Sequence, residues 1–241
     1  MLRWIAALLV LAGTAGAAES TDNLLALSWQ PAFCEMQRGS PRPECRALED
    51  GKLPWTESGF TLHGLWPQPR DRAYCGVTRE EERADRAGDW DRLPRIALDR
   101  ETATQLIRLM PGVRSQLERH EWTKYGSCYG DAAGQLGYFR DALWLTREIN
   151  AALGPLMAGR LDRPARLDEM RRALDDAFGR GAGNALELVC RRDGPDWLIS
   201  EIRLHLRGEI NPARPLAPLL RRDHPVPSDC ESGLVDAAGP G

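Results

Sequence analysis

An α+β domain is the fold class the sequence predicts, a single antiparallel sheet with helices packed around it and disulfide staples. Three observations predict it. Strand-like alternation and helix-like periodicity fall in separate blocks, without the βαβ rhythm of a parallel sheet. The chain has 241 residues, 42% of them hydrophobic, enough for one core and too few for a second large domain. Six cysteines, an even number, all follow the N-terminal leader and suit a stapled exported domain.

Leu25, Leu27 and Trp29 alternate with smaller residues and mark a first strand that stops at Pro31. Residues 38–54, with Gly39, Pro41, Pro43 and Gly51, read as a loop carrying Cys45. Residues 58–66 read as a second strand halted by Pro67. The charge-dense stretch 69–95 reads as a solvated loop with room for one helical turn. Helices are expected over 101–110, closed by Pro111-Gly112, and over 113–125, closed by Gly126. Phe139, Leu143, Ile149 and Leu153 give helical spacing over 138–153, before Gly154-Pro155. Leu167, Met170, Leu174 and Phe178 mark a further amphipathic helix. The chain then turns to strands: Leu186, Leu188 and Cys190 alternate, and Ile202, Leu204 and Leu206 alternate against Arg203, His205 and Arg207. From Gly208 five prolines predict a wrapping loop tied down by Cys230, with 231–241 as a disordered tail and the domain core at about 24–230.

Met1-Leu2-Arg3, an apolar run from Trp4 to Ala12, and small residues ending Ala15-Gly16-Ala17 describe a signal peptide over 1–17. The run is too short to span a bilayer, and no later apolar segment is long enough. The expected product is a periplasmic or secreted protein over 18–241, free of the membrane once the leader is removed. Its net charge of −3, from 32 basic and 35 acidic residues, argues against non-specific DNA binding but leaves room for a locally positive cleft. Cys34, Cys45, Cys75, Cys128, Cys190 and Cys230 read as three disulfides, with 15 pairings open on sequence alone. There is no C-x-x-C, which disfavours a zinc ribbon or a thioredoxin-type pair.

Of four histidines, two keep unusual company. His63 lies in FTLHGLWP, on the strand face opposite Phe60 and Leu62. His120 opens HEWTKYGSC. If that stretch is helical, His120, Glu121, Lys124 and Tyr125 fall within an arc of ~140° and face one cleft. Two imidazoles, a carboxylate and an ammonium suit general acid–base work around a phosphate. A zincin helix needs H-E-x-x-H, and Lys124 occupies the last position, so neither a metal nor another cofactor is expected.

These two segments, in this order, resemble the signatures of the ribonuclease T2 family, exported endoribonucleases with an α+β fold. NLLALSWQPAFC resembles the family's first strand and GYFRDALWLTREIN the helix after the second signature, so the likeness runs over roughly 24–230. The resemblance implies the pairs Cys75–Cys128 and Cys190–Cys230, leaving Cys34–Cys45 as a local pair. It also implies metal-free cleavage of single-stranded RNA through the ribose 2′-hydroxyl, giving a 2′,3′-cyclic phosphate; DNA lacks that nucleophile. RNA is thus the expected partner, and the chain is expected to act as a monomer. His63 matches a catalytic acid/base, and His120, Glu121 and Lys124 match residues that bind and stabilise the pentacovalent phosphate. Trp66 matches an aromatic at the base pocket, and Tyr74 is a candidate stacking partner.

One position departs from the family pattern: Tyr125 stands where the second signature carries another histidine. A phenol with an ordinary pKa of about 10 cannot replace imidazole as a base near neutrality. Three outcomes stay open: His120 takes over as base, Glu121 does, or the protein binds RNA with little turnover. Tyr125 itself is either a substrate contact or a packing residue. Trp122 reads as a core aromatic, His205 as solvated, His224 as loop, and Glu80-Glu81-Glu82 as solvated surface.

Overall fold

A computed structural model describes residues 21–39, 42–130 and 134–238. The expected signal peptide lies outside the described residues. Among them are six strands and seven α-helices. One sheet runs in the order β2–β1–β5–β6–β3, and β4 pairs with the other edge of β5. The strands are β1 (Asn23–Ser28), β2 (Thr61–Pro67), β3 (Arg163–Arg166), β4 (Leu186–Asp193), β5 (Asp196–Leu206) and β6 (Ser232–Val235). All pairings are antiparallel except a single parallel bridge between β5 and β6 at Leu198 and Leu234.

The core lies on one face of this sheet. Leu25 and Leu27 of β1, Leu62 and Leu65 of β2, and Ile202 and Leu204 of β5 are buried there. They pack against Phe139, Leu143, Ile149 and Leu153 of α6 (Gly134–Ala158). Gly154-Pro155 does not end this helix as expected. Leu153 and Met157 on either side of it are fully buried, and packing carries the helix past the hydrogen bond Pro155 cannot donate.

Two segments expected to be loops are helices. The 38–54 stretch contains α2 (Pro43–Glu49), because Pro43 sits in the first turn, where its missing N–H costs nothing. The 69–95 stretch contains α3 (Arg79–Ala87), started by a capping box in which the Thr78 and Glu81 side chains each accept the other's backbone N–H. A short helix α1 (Gln30–Glu35) follows β1 directly, with Pro31 in its first turn. The remaining helices are α4 (Arg100–Leu109), α5 (Leu117–Lys124) and α7 (Leu167–Phe178). The expected helix over 113–125 is split: Pro111–Ser115 is a 3₁₀ turn, Gln116 adopts φ 59°, and α5 starts after it.

All three disulfides are those implied by the resemblance: Cys34–Cys45, Cys75–Cys128 and Cys190–Cys230. The end of the chain corrects the expectation of a disordered tail. Ser232–Val235 forms β6, paired with β3. The Trp29 indole also donates to the Asp236 carbonyl, which holds the strand against the far end of the core.

Candidate active site

The other face of the sheet carries the site. There Leu24, Ala26 and Trp66 form a small cluster against Tyr125. β1 runs between β2 and β5, and its Ala26 side chain is only a methyl. Ser28 stands opposite Glu201 in that register, and His63 on β2 reaches across β1 to Glu201 on β5, with Nδ1 2.6 Å from Glu201 Oε2. Arg203 braces Glu201 from behind, its Nε donating to Oε1 at 2.7 Å and its Nη1 to Glu187 at 2.8 Å. His205 is half-buried and paired with Glu187 at 3.0 Å, not solvated as expected, because it belongs to the same charge ladder.

α5 supplies the facing side. Glu121 is 1% exposed, and its Oε2 accepts a hydrogen bond from the Trp66 indole at 2.8 Å. Its Oε1 is buried without a hydrogen-bond partner. That oxygen lies 3.6 Å from His63 Nε2 and 3.9 Å from His120 Nε2, so one carboxyl sits between two imidazoles. Gly64 makes room for it: a Cβ there would lie 1.9 Å from Glu121 Oε2 and 2.6 Å from the Trp66 indole nitrogen.

The titration of the site follows from this packing. Burial pushes the Glu121 carboxyl above its ordinary value, and His63, His120, the Trp66 bond and Lys124 offset only part of that. For His63 burial pulls the imidazole down. The Glu201 hydrogen bond and the charges of Glu121 and Glu201 outweigh it, so the value is raised above 6.5. Burial raises Glu201, but the His63 bond and the charges of His63 and Arg203 win, and it stays below the usual carboxylate range.

His120 is held differently. Its Nδ1 is 2.7 Å from Asp85 Oδ1 on α3, and its ring stacks on Trp90 at a centroid distance of 4.5 Å. Lys124 closes the last turn of α5 with its ammonium 4.8 Å from the Tyr125 ring. Tyr125 is the C-cap of α5, and its ring leans on Trp66 at 5.4 Å. The structure thus brings His63, His120, Glu121, Trp66, Lys124 and Tyr125 together. Tyr74 is set apart from its expected stacking role: its hydroxyl donates to Asp85, and Arg86 covers one face of its ring. Trp122 packs edge-on against Tyr138, as a core aromatic should.

Beside His63 opens a cleft of about 300 Å³ whose walls include Trp90, Arg42, Arg191, Glu201 and Arg203. Glu44 lines it as well, and Arg203 and Arg191 are already paired with carboxylates. Among the described residues, no three His, Cys, Asp or Glu side chains are grouped to hold a metal ion. Sequence reasoning missed Glu201, Asp85 and Trp90, all contributed from outside the two signatures. Glu201 did carry a signal, an acidic residue in register with the polar face of β5.

Two imidazoles, a buried carboxyl and an ammonium beside this cleft form a set that suits acid–base chemistry. The profile of the ribonuclease T2 family matches residues 22–214. Ribonuclease I of Escherichia coli (strain K12) is 30% identical over 243 aligned residues, covering 90% of this chain and 86% of that protein. Ribonuclease MC of Momordica charantia is 29% identical over 171 residues, covering 68% and 76% respectively. In fold, the chain is similar to a mutant of RNase MC1 in complex with 5′-UMP, with a TM-score of 0.60 at 22% identity; 90% of this chain and all of that one are covered. The chain belongs to the ribonuclease T2 family.

Proposed function

We propose that this T2-family ribonuclease is an exported endoribonuclease that cleaves single-stranded RNA by metal-independent transphosphorylation, with His63 and His120 as its acid–base pair. The observation that carries the proposal is the placement of both Nε2 atoms within 4 Å of one buried oxygen, Glu121 Oε1. A phosphodiester drawn to that point meets a proton donor, a proton acceptor and the Lys124 ammonium together. His120 takes the proton of the ribose 2′-hydroxyl, and the freed oxygen attacks phosphorus. The P–O5′ bond breaks, and His63 gives its proton to the leaving 5′-oxygen. The product is a 2′,3′-cyclic phosphate. His63 suits the acid role because the Glu201 hydrogen bond and the neighbouring carboxylates raise its value and so favour the protonated form.

Lys124 and the Glu121 carboxyl would stabilise the pentacovalent phosphate. The raised value of Glu121 favours the form that can donate a hydrogen bond to a phosphate oxygen. The arginine-lined cleft would take the nucleoside next to the scissile phosphate, with Trp90 as an aromatic wall. Export is supported by the leader pattern over 1–17 and by three disulfides, which persist in oxidising compartments.

The test is cleavage of an RNA oligonucleotide by the oxidised protein, from about pH 4 to 8 with EDTA present. EDTA-resistant cleavage to cyclic phosphate ends is expected, with no cleavage where a 2′-deoxy sugar precedes the scissile phosphate. His63→Ala and His120→Ala should each lower the rate by at least ~10²-fold. Tyr125→His should change it little, because the base already stands at His120. A wild type that binds RNA without turnover and becomes active only as Tyr125→His would overturn the proposal.

A further inference from the structure

The catalytic scheme uses His120 but leaves unused the socket that holds it. Asp85 is 1% exposed at its side chain, and both of its oxygens are committed. Oδ1 faces His120 Nδ1 at 2.7 Å, and Oδ2 accepts a hydrogen bond from the Tyr74 hydroxyl at 2.8 Å. Trp90 presses on the imidazole with its ring nearly parallel, at 21°, and its indole N–H reaches back to the Asp85 carbonyl at 3.3 Å. Burial, then the Asp85 carboxylate, pushes the Tyr74 phenol well above its ordinary value, so it remains a donor. Tyr74 is itself anchored to α5, its backbone N–H donating to the Lys124 carbonyl at 2.8 Å.

This geometry fixes a tautomer. A carboxylate that faces Nδ1 and already accepts from Tyr74 can only accept from the imidazole, so the ring proton sits on Nδ1. The lone pair then sits on Nε2, the atom turned toward Glu121 Oε1. Glu201 holds His63 by the same Nδ1 atom from the opposite side of the cleft. Tyr125, by contrast, has no imidazole to offer.

We infer that Asp85 is a positioning residue for the cleavage reaction: it holds His120 in the Nδ1–H tautomer, supported by Tyr74 and Trp90, and so lets His120 serve as the base at a site where position 125 carries none. The inference rests on the proposed role of His120, and its test separates the two. An asparagine at position 85 keeps the shape but presents an amide N–H to Nδ1, which moves the ring proton to Nε2.

The experiment combines turnover of a fluorogenic RNA oligonucleotide with ¹⁵N NMR of histidine-labelled protein above about pH 8. Asp85→Asn is expected to lower kcat by about 10²–10⁴-fold with KM within about threefold of wild type, and to move the His120 proton from Nδ1 to Nε2. Tyr74→Phe should lower kcat in the same direction by less. Asp85→Asn that folds and keeps kcat within about threefold overturns the inference while leaving His120 as base. His120→Ala retaining more than about a tenth of the rate overturns the catalytic assignment on which it rests. Should Asp85→Asn not fold, the wild-type spectrum alone decides, because a neutral His120 protonated on Nε2 refutes the positioning role.

Discussion

Gly64→Ala is the perturbation whose consequence the structure fixes most tightly. Its new methyl would lie 1.9 Å from Glu121 Oε2 and 2.6 Å from the Trp66 indole nitrogen, the two ends of a single 2.8 Å hydrogen bond. Neither group can swing into water, since Trp66 is buried in the sheet face and Glu121 is 1% exposed on α5. Overpacking of this kind costs about 1–3 kcal/mol. A lost hydrogen bond to a carboxyl that stays buried costs a further ~1.5–3 kcal/mol. A total of about 2.5–6 kcal/mol in a chain of this length lowers Tm by on the order of 10 °C. Because the displaced carboxyl is the one between the two imidazoles, kcat measured well below that Tm should fall by about 10²-fold. Calorimetry of the oxidised protein and RNA turnover on the same sample provide the assay. Gly130→Ala is the control, since a Cβ there meets nothing within 4 Å. Gly64→Ala melting within ~2 °C of wild type and turning over normally would refute the wedged placement of Glu121.

Three further outcomes follow from the same geometry. Glu201→Gln removes the charge, and weakens the hydrogen bond, that raise His63, so the alkaline limb of the kcat/KM profile should move to lower pH; an unmoved limb would mean His63 is not the acid. Thermal stability should fall as pH rises from about 5 to 8, and fall again in acid below about pH 4, with Glu121 adding to the alkaline loss. His63 is raised, so its contribution is complete below 6.5 and is lost as pH rises through its folded value. Asp236, raised to about 6 chiefly by burial and by Glu35, also disfavours folding as pH rises. Glu187 and Glu201 are lowered, so theirs is lost as pH falls below 4.5; a Tm still climbing from about pH 5 to 8 would contradict this balance. Removing Cys75–Cys128, which spans 53 residues and joins the Tyr74 segment to the end of α5, should cost about 4 kcal/mol and lower kcat as well, checked by denaturant unfolding and turnover of Cys75→Ala/Cys128→Ala.

The parts of the fold legible in the sequence are those that periodicity or punctuation writes locally. Leu25 and Leu27 announced β1, and the 167–178 stripe announced α7, because each buries one face against a continuous core. β3 and β6 were not legible. Four residues each, with no alternation, they exist because Cys230 and the indole of Trp29 deliver the chain end to a partner strand. α2 and α3 were hidden by their composition, although Thr78 and Glu81 stood at capping-box spacing. In the site, the two signatures carried His63, Glu121 and Lys124 in full view. The partners that hold them come from elsewhere: Glu201 lies two strands away across β1, and Asp85 comes from a helix read as loop. A side chain that acts by pairing with a distant one leaves no local pattern.

That division bears on how Tyr125 is tolerated. The proposed scheme asks for an imidazole nitrogen at a point beside Glu121 Oε1 and sets no condition on where along α5 the ring is attached. An imidazole at position 120 satisfies it only if its other nitrogen is held, because a free ring rotates and its proton exchanges between the two nitrogens. α3 supplies the holding group, and the ring is clamped between Asp85 and Trp90. In that scheme position 125 is left to pack: its ring lies against Trp66, the donor that anchors Glu121. Under the proposed scheme Asp85 and Tyr125 would be coupled through His120. The Asp85→Asn loss should then be partly recovered by adding Tyr125→His, which supplies a second imidazole to the same oxygen. A double variant no better than Asp85→Asn alone would mean that the socket of α3, and not the count of imidazoles, sets the rate.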